Sequence, residues 1–555
     1  MKKNVIIISF LLLVPFFSFG QAWEWVNTGV SEDTDNSKEV CVDYSGNVYA
    51  IGETYGDISF GSVSLTTTSE KLDYLVKYNS DGDVLWAVKL LESDDGLNAL
   101  RGITTDDAGN VIIVGFYSNT VSLAGVEFVS LGMFDTFIVK IDSDGDVVWA
   151  KSGGGTHNDE FYDVVCDGQD YYIVAGFTDQ AIFGGIELLA PSSNWNDEIA
   201  IVKYLSNGDV DWAVKAGGSS YDNPTGIAYD GSNIFITGYF SSSDAAFGTD
   251  ILDCEGITNV FLAQIDPTSG TFDWAKGFET GHGTVGAYEK QGPHIEVDDN
   301  SIYMSGYYRN DFIFSETVTL NESDDNAFIA SFSKTGDLNW VNEITTTTEE
   351  CPYPLSMSYS DGNVYIVGEY MNNITSNDYE MIGTQAGGMA ISLKNAYIFS
   401  YAANGDVNWG KSVDAYLDLT GGTMNISGIF ADGEVVYTSG YFSKTVQVGT
   451  FELTSTNSVD PFFGKIDILG SSIVSSNTGI SCNVFPNPGT NNIMINVDDS
   501  VIDSYSIFDV SGKEIISKRS IANSYTINIS ELDSGVYFLQ INTDNGLIVK
   551  KFIKK

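Results

Sequence analysis

The stretch Arg101–Lys151, RGITTDDAGNVIIVGFYSNTVSLAGVEFVSLGMFDTFIVKIDSDGDVVWAK, contains four short runs: GITTD, GNVIIVG, TFIVKID and DVVWAK. Each is alternating or β-branched, and Gly, Asp and Asn separate them, which is the pattern of antiparallel strands joined by turns. Asp-Gly and Asn-Gly tolerate the positive φ of a tight hairpin. Asp142–Val147 (DSDGDV) therefore reads as a turn rather than a calcium loop, as do Asn79–Val84 and Ser206–Val210. Between the second and third runs lies a further element, seen elsewhere as ISFGSVSL, AIFGGIEL and VQVGTFEL, which predicts a small extra hairpin turning at its Gly.

The same succession recurs along the chain. Trp residues in contexts such as GDVLWAVK and GDVNWGKS fall at positions 25, 86, 149, 212, 274, 340 and 409. A second ladder ends at Gly52, Gly115, Gly176, Gly238, Gly306, Gly368 and Gly440, in the same register. A four-stranded sheet cannot bury both of its faces alone, and radial stacking of seven such sheets solves that problem. The expectation is an all-β fold, a seven-bladed β-propeller over residues 21–468. The last copy has three strands (ISGIFAD, EVVYTSG, PFFGKID) but no Trp-bearing fourth, so the N-terminal AWEWVNT is expected to complete it and leave no open edge. The Trp ladder reads as a repeated packing position and not as a ligand cage.

The succession G-I-x-x-D, G-N-V-Y-x-x-G, D-x-F-x-x-K and W-A-K is clearest in Gly102–Lys151 and Asp163–Lys215, and the sixth unit departs from it with AYIFSYA. It resembles the bacterial β-propeller repeat family called SBBP, over about Trp23 to Asp467. That resemblance implies a propeller in an exported protein, and no single reaction.

At the N-terminus Lys2 and Lys3 precede an apolar run from Val5 to Phe19, so residues 1–20 read as a secretory signal peptide. The run is shorter than the roughly 20 residues that span a bilayer, and none like it follows, so no transmembrane segment is expected in the mature chain. Residues 469–482 read as a Ser-rich linker, and residues 483–555 as a small C-terminal β-sandwich. This tail carries Phe485-Pro486-Asn487-Pro488, the Asp509–Lys513 segment around Gly512, Gly535-Val536-Tyr537, and a basic end with Lys550 and Lys551. It resembles the type A sorting domain of the Por, or type IX, secretion system of Bacteroidota. The resemblance implies passage through the periplasm, recognition by outer-membrane secretion machinery, and a secreted or surface-attached product.

The 555 residues include 26 Lys and Arg against 75 Asp and Glu, a formal net charge of -49. Such a field repels nucleic-acid phosphates and anionic membranes, which excludes nucleic acid as a partner. From Asn483 onward there are 7 basic and 8 acidic residues, so nearly all the acidity belongs to the repeats. Five Cys without CxxC spacing and three His argue against zinc and other histidine-rich sites. Cys41 and Cys166, in apolar runs, read as small core residues.

Loops that lead from one unit's outermost strand to the next unit's innermost strand gather around one mouth of a propeller. Five positions before Val40, Ile103, Val164 and Ile227 stand Asp35, Asn98, Asp159 and Asp222, with Asp94, Asp95, His157, Glu160, Tyr221, His282, Tyr288 and Glu289 nearby. This predicts an acidic mouth interleaved with aromatics, in which Asp35, Asn98, Asp159, Asp222, His157 and Tyr221 contact ligand. Asp35, Asp159 and Asp222 form an oxygen set suited to calcium, the one cofactor suggested. The alternative for these acids is a solvated rim. Trp195, in the insert SSNWND, is a candidate sugar-stacking platform. The function expected is binding or adhesion outside the cell, with a polysaccharide or protein ligand. The competing class is a secreted carbohydrate-active hydrolase or lyase using paired carboxylates. No Ser-His-Asp or Cys-His constellation supports catalysis.

Overall fold

The computed structural model describes the chain from Gln21 to Lys555 apart from residues 95–96, 124, 192–195, 255–256, 281–291, 347–351, 372, 378, 383–393, 416–421, 469–481, 498–501, 509–513, 523, 531, 533–534 and 544–545. The segment expected to be a signal peptide and the linker up to residue 481 lie outside the described residues. Two compact units result, Trp25–Lys465 and a second that contains Ile466–Lys555. Among the described residues there are strands, turns and no helix.

The repeat folds as its pattern predicts. In the second copy, Ala99–Thr105, Val111–Tyr117, Asp135–Ile141 and Val147–Gly153 pair antiparallel in that order. Ile113 stands opposite Ile103 on one side and Val139 on the other. The second strand has neighbouring sheets over both faces, so Val111, Ile112, Ile113 and Val114 are all fully buried and the run is continuously apolar instead of alternating. Asp142–Val147 is a turn: Asp142 Oδ1 accepts the amides of Asp144 (3.0 Å) and Asp146 (2.9 Å), and Gly145 supplies the positive φ of 93°.

Five members of the Trp ladder fasten one unit to the next. Trp149 Nε1 donates to the Ser206 carbonyl at 3.1 Å, in the outer turn of the following unit, and its indole covers Gly208. A Cβ on Gly208 would lie 3.0 Å from that indole, and its φ of 84° already demands glycine. Trp25 binds Ser80, Trp86 binds Ser143, Trp212 binds Pro267 and Trp340 binds Ala403 in the same way, at 2.9–3.2 Å. Trp274 departs by donating to Gln264 of its own unit at 2.7 Å.

The extra hairpins are present, but their pairing was not foreseen. Each lays its first arm along the outer strand of the preceding unit instead of its own. Leu123 pairs with Leu91, Phe312 with Thr280, Thr375 with Thr345, and Val446 with Ala415. Single bridges, Ile182 to Gly154 and Ala246 to Gly217, make the same link. In the fifth and seventh copies the hairpin is continuous with the long strands Ser301–Ser315 and Val435–Val448. The hairpin of the first unit pairs Phe60 with Gly29, on the strand Ala22–Ser31, which lies beside Phe451–Asp467 of the last unit.

The inner strands are Asp35–Val42, Ala99–Thr105, Asp159–Cys166, Asp222–Tyr229, His294–Val297, Pro354–Ser360 and Thr423–Asp432. Each packs beside its successor, and Thr423–Asp432 packs beside Asp35–Val42. Their free edges present unpaired backbone groups, which neighbouring side chains satisfy. Ser358 Oγ accepts the Ala431 amide at 3.0 Å, Thr225 Oγ1 donates to the Pro293 carbonyl at 2.6 Å, and Ser427 Oγ donates to the Ser37 carbonyl at 2.7 Å.

In the C-terminal unit, Cys482–Phe485, Asn492–Val497 and Ser524–Asn528 form one sheet. Glu514–Ala522, Ile502–Phe508, Gly535–Thr543 and Gly546–Lys554 form another. Ile493, Ile495 and Ile527 of the first pack with Tyr505, Leu539, Ile541 and Phe552 of the second, giving the expected two-layer core.

If the indole contact holds successive units together, Trp149→Ala should cost about 3 kcal/mol and Trp149→Phe, which keeps most of the packing, about 1 kcal/mol. Urea unfolding of both variants checks this, and an unchanged midpoint for Trp149→Ala would contradict it.

Candidate functional site

Asp35, Asn98, Asp159 and Asp222 do occupy equivalent places at the start of their inner strands. They are not an open acidic mouth, because all four are buried, none more than 4% exposed. The loop before each strand folds back and spends its amides on the side chain. Gly155 N–H donates to Asp159 Oδ2 at 2.6 Å and Gly218 N–H to Asp222 Oδ2 at 2.7 Å. Asp222 also accepts the Ser241 and Ser242 amides and the Ser242 hydroxyl, so four donors surround it. The three-carboxylate calcium set is therefore corrected. Asp35, Asp159 and Asp222 sit in separate junctions, and among the described residues no three His, Cys, Asp or Glu side chains gather as a metal would need.

Each of these residues instead faces a carboxylate from the third strand of the preceding unit. Asn98 donates to Asp73, and Lys71 completes that junction with ion pairs to Glu53 (2.9 Å) and Asp73 (3.4 Å). Burial pushes Glu53 upward, but Lys38 and Lys71 outweigh it and hold the carboxyl at about 2. Among the described residues the other paired acids make no ion pair with a lysine, although the Lys215 charge offsets part of the rise at Glu198. Burial pushes Asp35 up to about 6, with the Asp460 charge adding to it, and pushes Asp159 up to about 8, with Asp135 adding. Glu198 lies against Asp222 across Gly217. It is 1% exposed, and burial first and the Asp222 charge second push it up to about 9.

Of the other expected contacts, His157 is half-buried, with Nδ1 3.1 Å from Thr156 Oγ1 and 3.8 Å from Asp179. Tyr221 is exposed. Trp195, Asp95, His282, Tyr288 and Glu289 lie outside the described residues. Cys41 is buried as expected, while Cys166 is half-buried and accepts the Gly168 amide at 3.3 Å.

A cavity of about 320 Å³ is lined by residues of all the inner strands, among them Glu39, Arg101, Tyr162, Asp163, His294 and Glu296. Arg101 lies 5.0 Å from the Phe116 ring centre and pairs with Glu160 at 3.3 Å. Asp163 accepts the Val164 amide at 2.8 Å and, across the junction, the Ile227 amide at 3.1 Å. Burial raises Asp163 to about 7 and, with the Asp163 charge adding, Glu296 to about 8. At neutral pH the pair can therefore donate as well as accept hydrogen bonds. The motif reading passed over these residues although a signal was present. Where the repeat reads GITTD and GIAYD, the first unit has EVCVD, the third DVVCD and the fifth HIEVD. The departures from Gly, Glu39, Asp163 and His294, are among the polar side chains of the cavity.

Strand alternation brings the loops after the outer strands and those before the third strands to the same end of every sheet. Leu97 and Tyr221 from the former, and Leu131, Met133 and Ile257 from the latter, are all exposed there, Leu131 by 72%. The two loop sets touch: Gly132 lies against the backbone of Thr156 and His157.

In the tail, Asn487 of the FPNP motif accepts the Ile553 amide at 2.8 Å, and Gly489 exchanges backbone bonds with Ile553 (2.8 Å) and Lys555 (2.9 Å). Tyr537 stacks on Phe552 at 5.7 Å, Gly535 pairs with Lys554, and Lys550 and Lys551 pair with Leu539 and Phe538. Pro486 and Pro488 each follow a cis peptide bond, and Gly512 lies outside the described residues. The sorting motifs thus clamp the terminal strand into its sheet. Residues 483–555 match the family model of the secretion system C-terminal sorting domain. The tail is a type IX sorting domain. The protein is accordingly one exported by type IX secretion to the cell surface or beyond it.

A WD repeat-containing protein of Acanthamoeba polyphaga mimivirus is 24% identical, with 80% of this chain aligned to 38% of that protein, so the chain spans well under half of it. Similar solved structures include the propeller domain of the Trilobed protease from Pyrococcus furiosus, at 10% identity and a TM-score of 0.38, covering 77% of this chain and 98% of that one. The Neurospora crassa Pan2 WD40 domain gives 9% and 0.35, covering 78% and 89%. PorZ, a surface component of the type IX secretion system of Porphyromonas gingivalis, gives 9% and 0.19, covering 96% and 100%. These likenesses concern the fold alone. Among the described residues no helix is long and apolar enough to cross a membrane.

The raised Glu198 carboxyl has a signed consequence. The folded protein holds a proton there that the unfolded chain releases above the usual carboxylate range, so this site costs stability increasingly as pH rises from about 4.5 toward about 9. Glu198→Gln should remove that cost, raising stability at pH 8 by roughly 2 kcal/mol and flattening the profile between pH 5 and 8. Melting temperatures of parent and variant across that range check it.

Proposed function

We propose that residues 21–468 form a seven-bladed β-propeller of the SBBP type, closed by Ala22–Ser31 as the outer strand of the last sheet, after a signal peptide at 1–20 and before a linker at 469–482. The succession of inner strands from Asp35–Val42 round to Thr423–Asp432 and back supports this, as does the first unit's hairpin on the N-terminal strand. The propeller is a binding or adhesion module that the sorting tail delivers to the outer surface.

One observation carries the binding reading. Leu97, Leu131, Met133, Tyr221 and Ile257, large and exposed, share one end of an otherwise acidic molecule, on loops held by rigid sheets. Such a rim suits an extracellular polysaccharide or protein, with Tyr221 and His157 beside the apolar residues and the buried Asp159 and Asp222 fixing the loops that present them. The second reading, a hydrolase or lyase, draws on Asp163 and Glu296, whose cavity is near the lower size of small-ligand sites.

Screening the purified chain against arrays of glycans and matrix proteins, with product analysis of every hit, separates the two. The binding reading expects a hit that Leu131→Ser with Met133→Ser weakens at least tenfold, and no cleavage. New reducing or unsaturated ends that Asp163→Asn abolishes would replace it with the enzyme reading. Deleting residues 483–555 should leave the remainder in the periplasm, as cell fractionation would show.

A further inference from the structure

Six buried acids meet in pairs where one repeat adjoins another, and none of the six is more than 2% exposed. Phe134 and Asn158 form a single parallel bridge, which sets the next residue of each strand, Asp135 and Asp159, side by side. Thr34 and Val459 form the same bridge and bring Asp35 to Asp460. In the third pair, Glu198 and Asp222 close on Gly217. Oδ1 of Asp135, of Asp159 and of Asp460 and both oxygens of Glu198 are buried without a hydrogen-bond partner. Two carboxylates held this close in an apolar setting cannot both stay ionised without a cation.

The other junctions show what the place requires. Beside Asp73 stands Asn98, whose amide donates to the carboxylate. Asp35 and Asp159 stand in the place of Asn98, and a carboxyl there can donate only when protonated. Asp135 and Asp460 open the succession D-x-F, and where it reads N-V-F, N-A-F and N-A-Y the first residues are the neutral Asn259, Asn326 and Asn395. Asn259 and Asn326 accept the Thr280 and Thr346 amides at 3.1 and 3.2 Å. The groups that face the pairs supply no substitute for a proton. Thr54, Ser31, Tyr55 and Tyr74 face Asp35, Asp197 faces Asp159, and Tyr117 faces Asp135. His157, on the loop before Asp159, turns to Asp179 at 3.8 Å. Near Glu198 the Lys215 charge is set against those of Asp222, Asp244 and Asp197.

We propose that each pair holds one shared proton and that losing it unfastens the junction, so that falling pH tightens the contact between repeats and rising pH loosens it. The proton makes one member a donor to the other, while the acids go on accepting the loop amides. Those amides are Gly155 N–H on Asp159 Oδ2 at 2.6 Å, Gly218 N–H on Asp222 Oδ2 at 2.7 Å and Thr456 N–H on Asp460 Oδ2 at 3.0 Å. Burial, the largest cause in each case, holds Asp35 up to about 6, Asp159 up to about 8 and Glu198 up to about 9. The closed junction keeps a proton that an open one releases, so its stability is full below the ordinary carboxyl range and is lost as pH rises through those values. The loops freed are the ones that carry His157 and Tyr221.

Hydrogen exchange of the full chain, read by mass spectrometry in excess chelator from pH 5 to pH 8 and corrected for the intrinsic exchange rate, measures how often each junction opens. At Gly155 and Gly218 the opening equilibrium should rise roughly tenfold per pH unit, the mark of one proton released on opening. At Thr456 the rise should stop near the Asp35 value of about 6. The Thr280 and Thr346 amides, held by Asn259 and Asn326, should show no such rise. Asp159→Asn copies the pairing of Asn98 with Asp73, and Glu198→Gln keeps the size of the acid. Each should abolish the rise at its own junction and leave it at the other. Opening at Gly155 and Gly218 as flat as at Thr280, or a rise that survives in both variants, would overturn the proposal. Where a variant fails to fold, the comparison of Gly155 with Thr280 in the parent decides.

Discussion

A four-stranded sheet with both faces apolar has no stable existence in water alone, and the rest of this structure depends on how each sheet is covered by the next. The fully buried second strands, such as Val111–Val114, are affordable only because neighbours lie over both faces. The cover is fastened at three radii. Inside, hydroxyls such as Ser427 and carboxylates such as Asp163 satisfy the free strand edge of the next sheet. In the middle, buried acids meet across the junction. Outside, an indole sits on the turn glycine of the following unit while that unit's hairpin reaches back along the preceding outer strand. These links run in both directions along the chain, and strands at its start meet strands of its last repeat.

The outer fastening was legible from the sequence, and the inner one was not. Trp and turn-Gly residues such as Trp149 and Gly208 recur through most of the repeats, and Asp-Gly turns have a known backbone cause, so strands and turns could be read directly, as could the strand around Trp25 lying beside Phe451–Asp467. The hairpins were legible as hairpins, but which outer strand they join is a matter of tertiary register that local alternation does not encode. For Asp35, Asp159 and Asp222 the equivalence was legible and the burial was not. A carboxylate that caps its own loop and one that faces solvent have the same letter and the same flanking turn residues. The cavity side chains lay in the opposite situation. Glu39, Asp163 and His294 break the G-I-x-x-D pattern, and a departure from a repeat signals function more than adherence to it does.

Charge then connects the fold to its destination. The acidity is confined to the repeats, while the sorting tail is nearly neutral and ends in a lysine-bearing strand held by Asn487. A strongly acidic surface keeps an exported repeat protein soluble, and it also puts carboxylates next to one another at the junctions. There the chain uses a lysine at one junction and amide and hydroxyl donors at another. The apolar rim stands out against this background, because Leu131 and Met133 are costly to expose unless another surface covers them.

The first and last repeats come together at a pair of hydroxyls. Thr34 Oγ1 and Ser458 Oγ lie 3.1 Å apart although 424 residues separate them in sequence. Converting both to cysteine, Thr34→Cys with Ser458→Cys, and oxidising the folded protein gently should produce one new disulfide that peptide mass mapping assigns to that pair. Two thiols that both remain open to alkylation in the folded protein would contradict the closure and the account built on it.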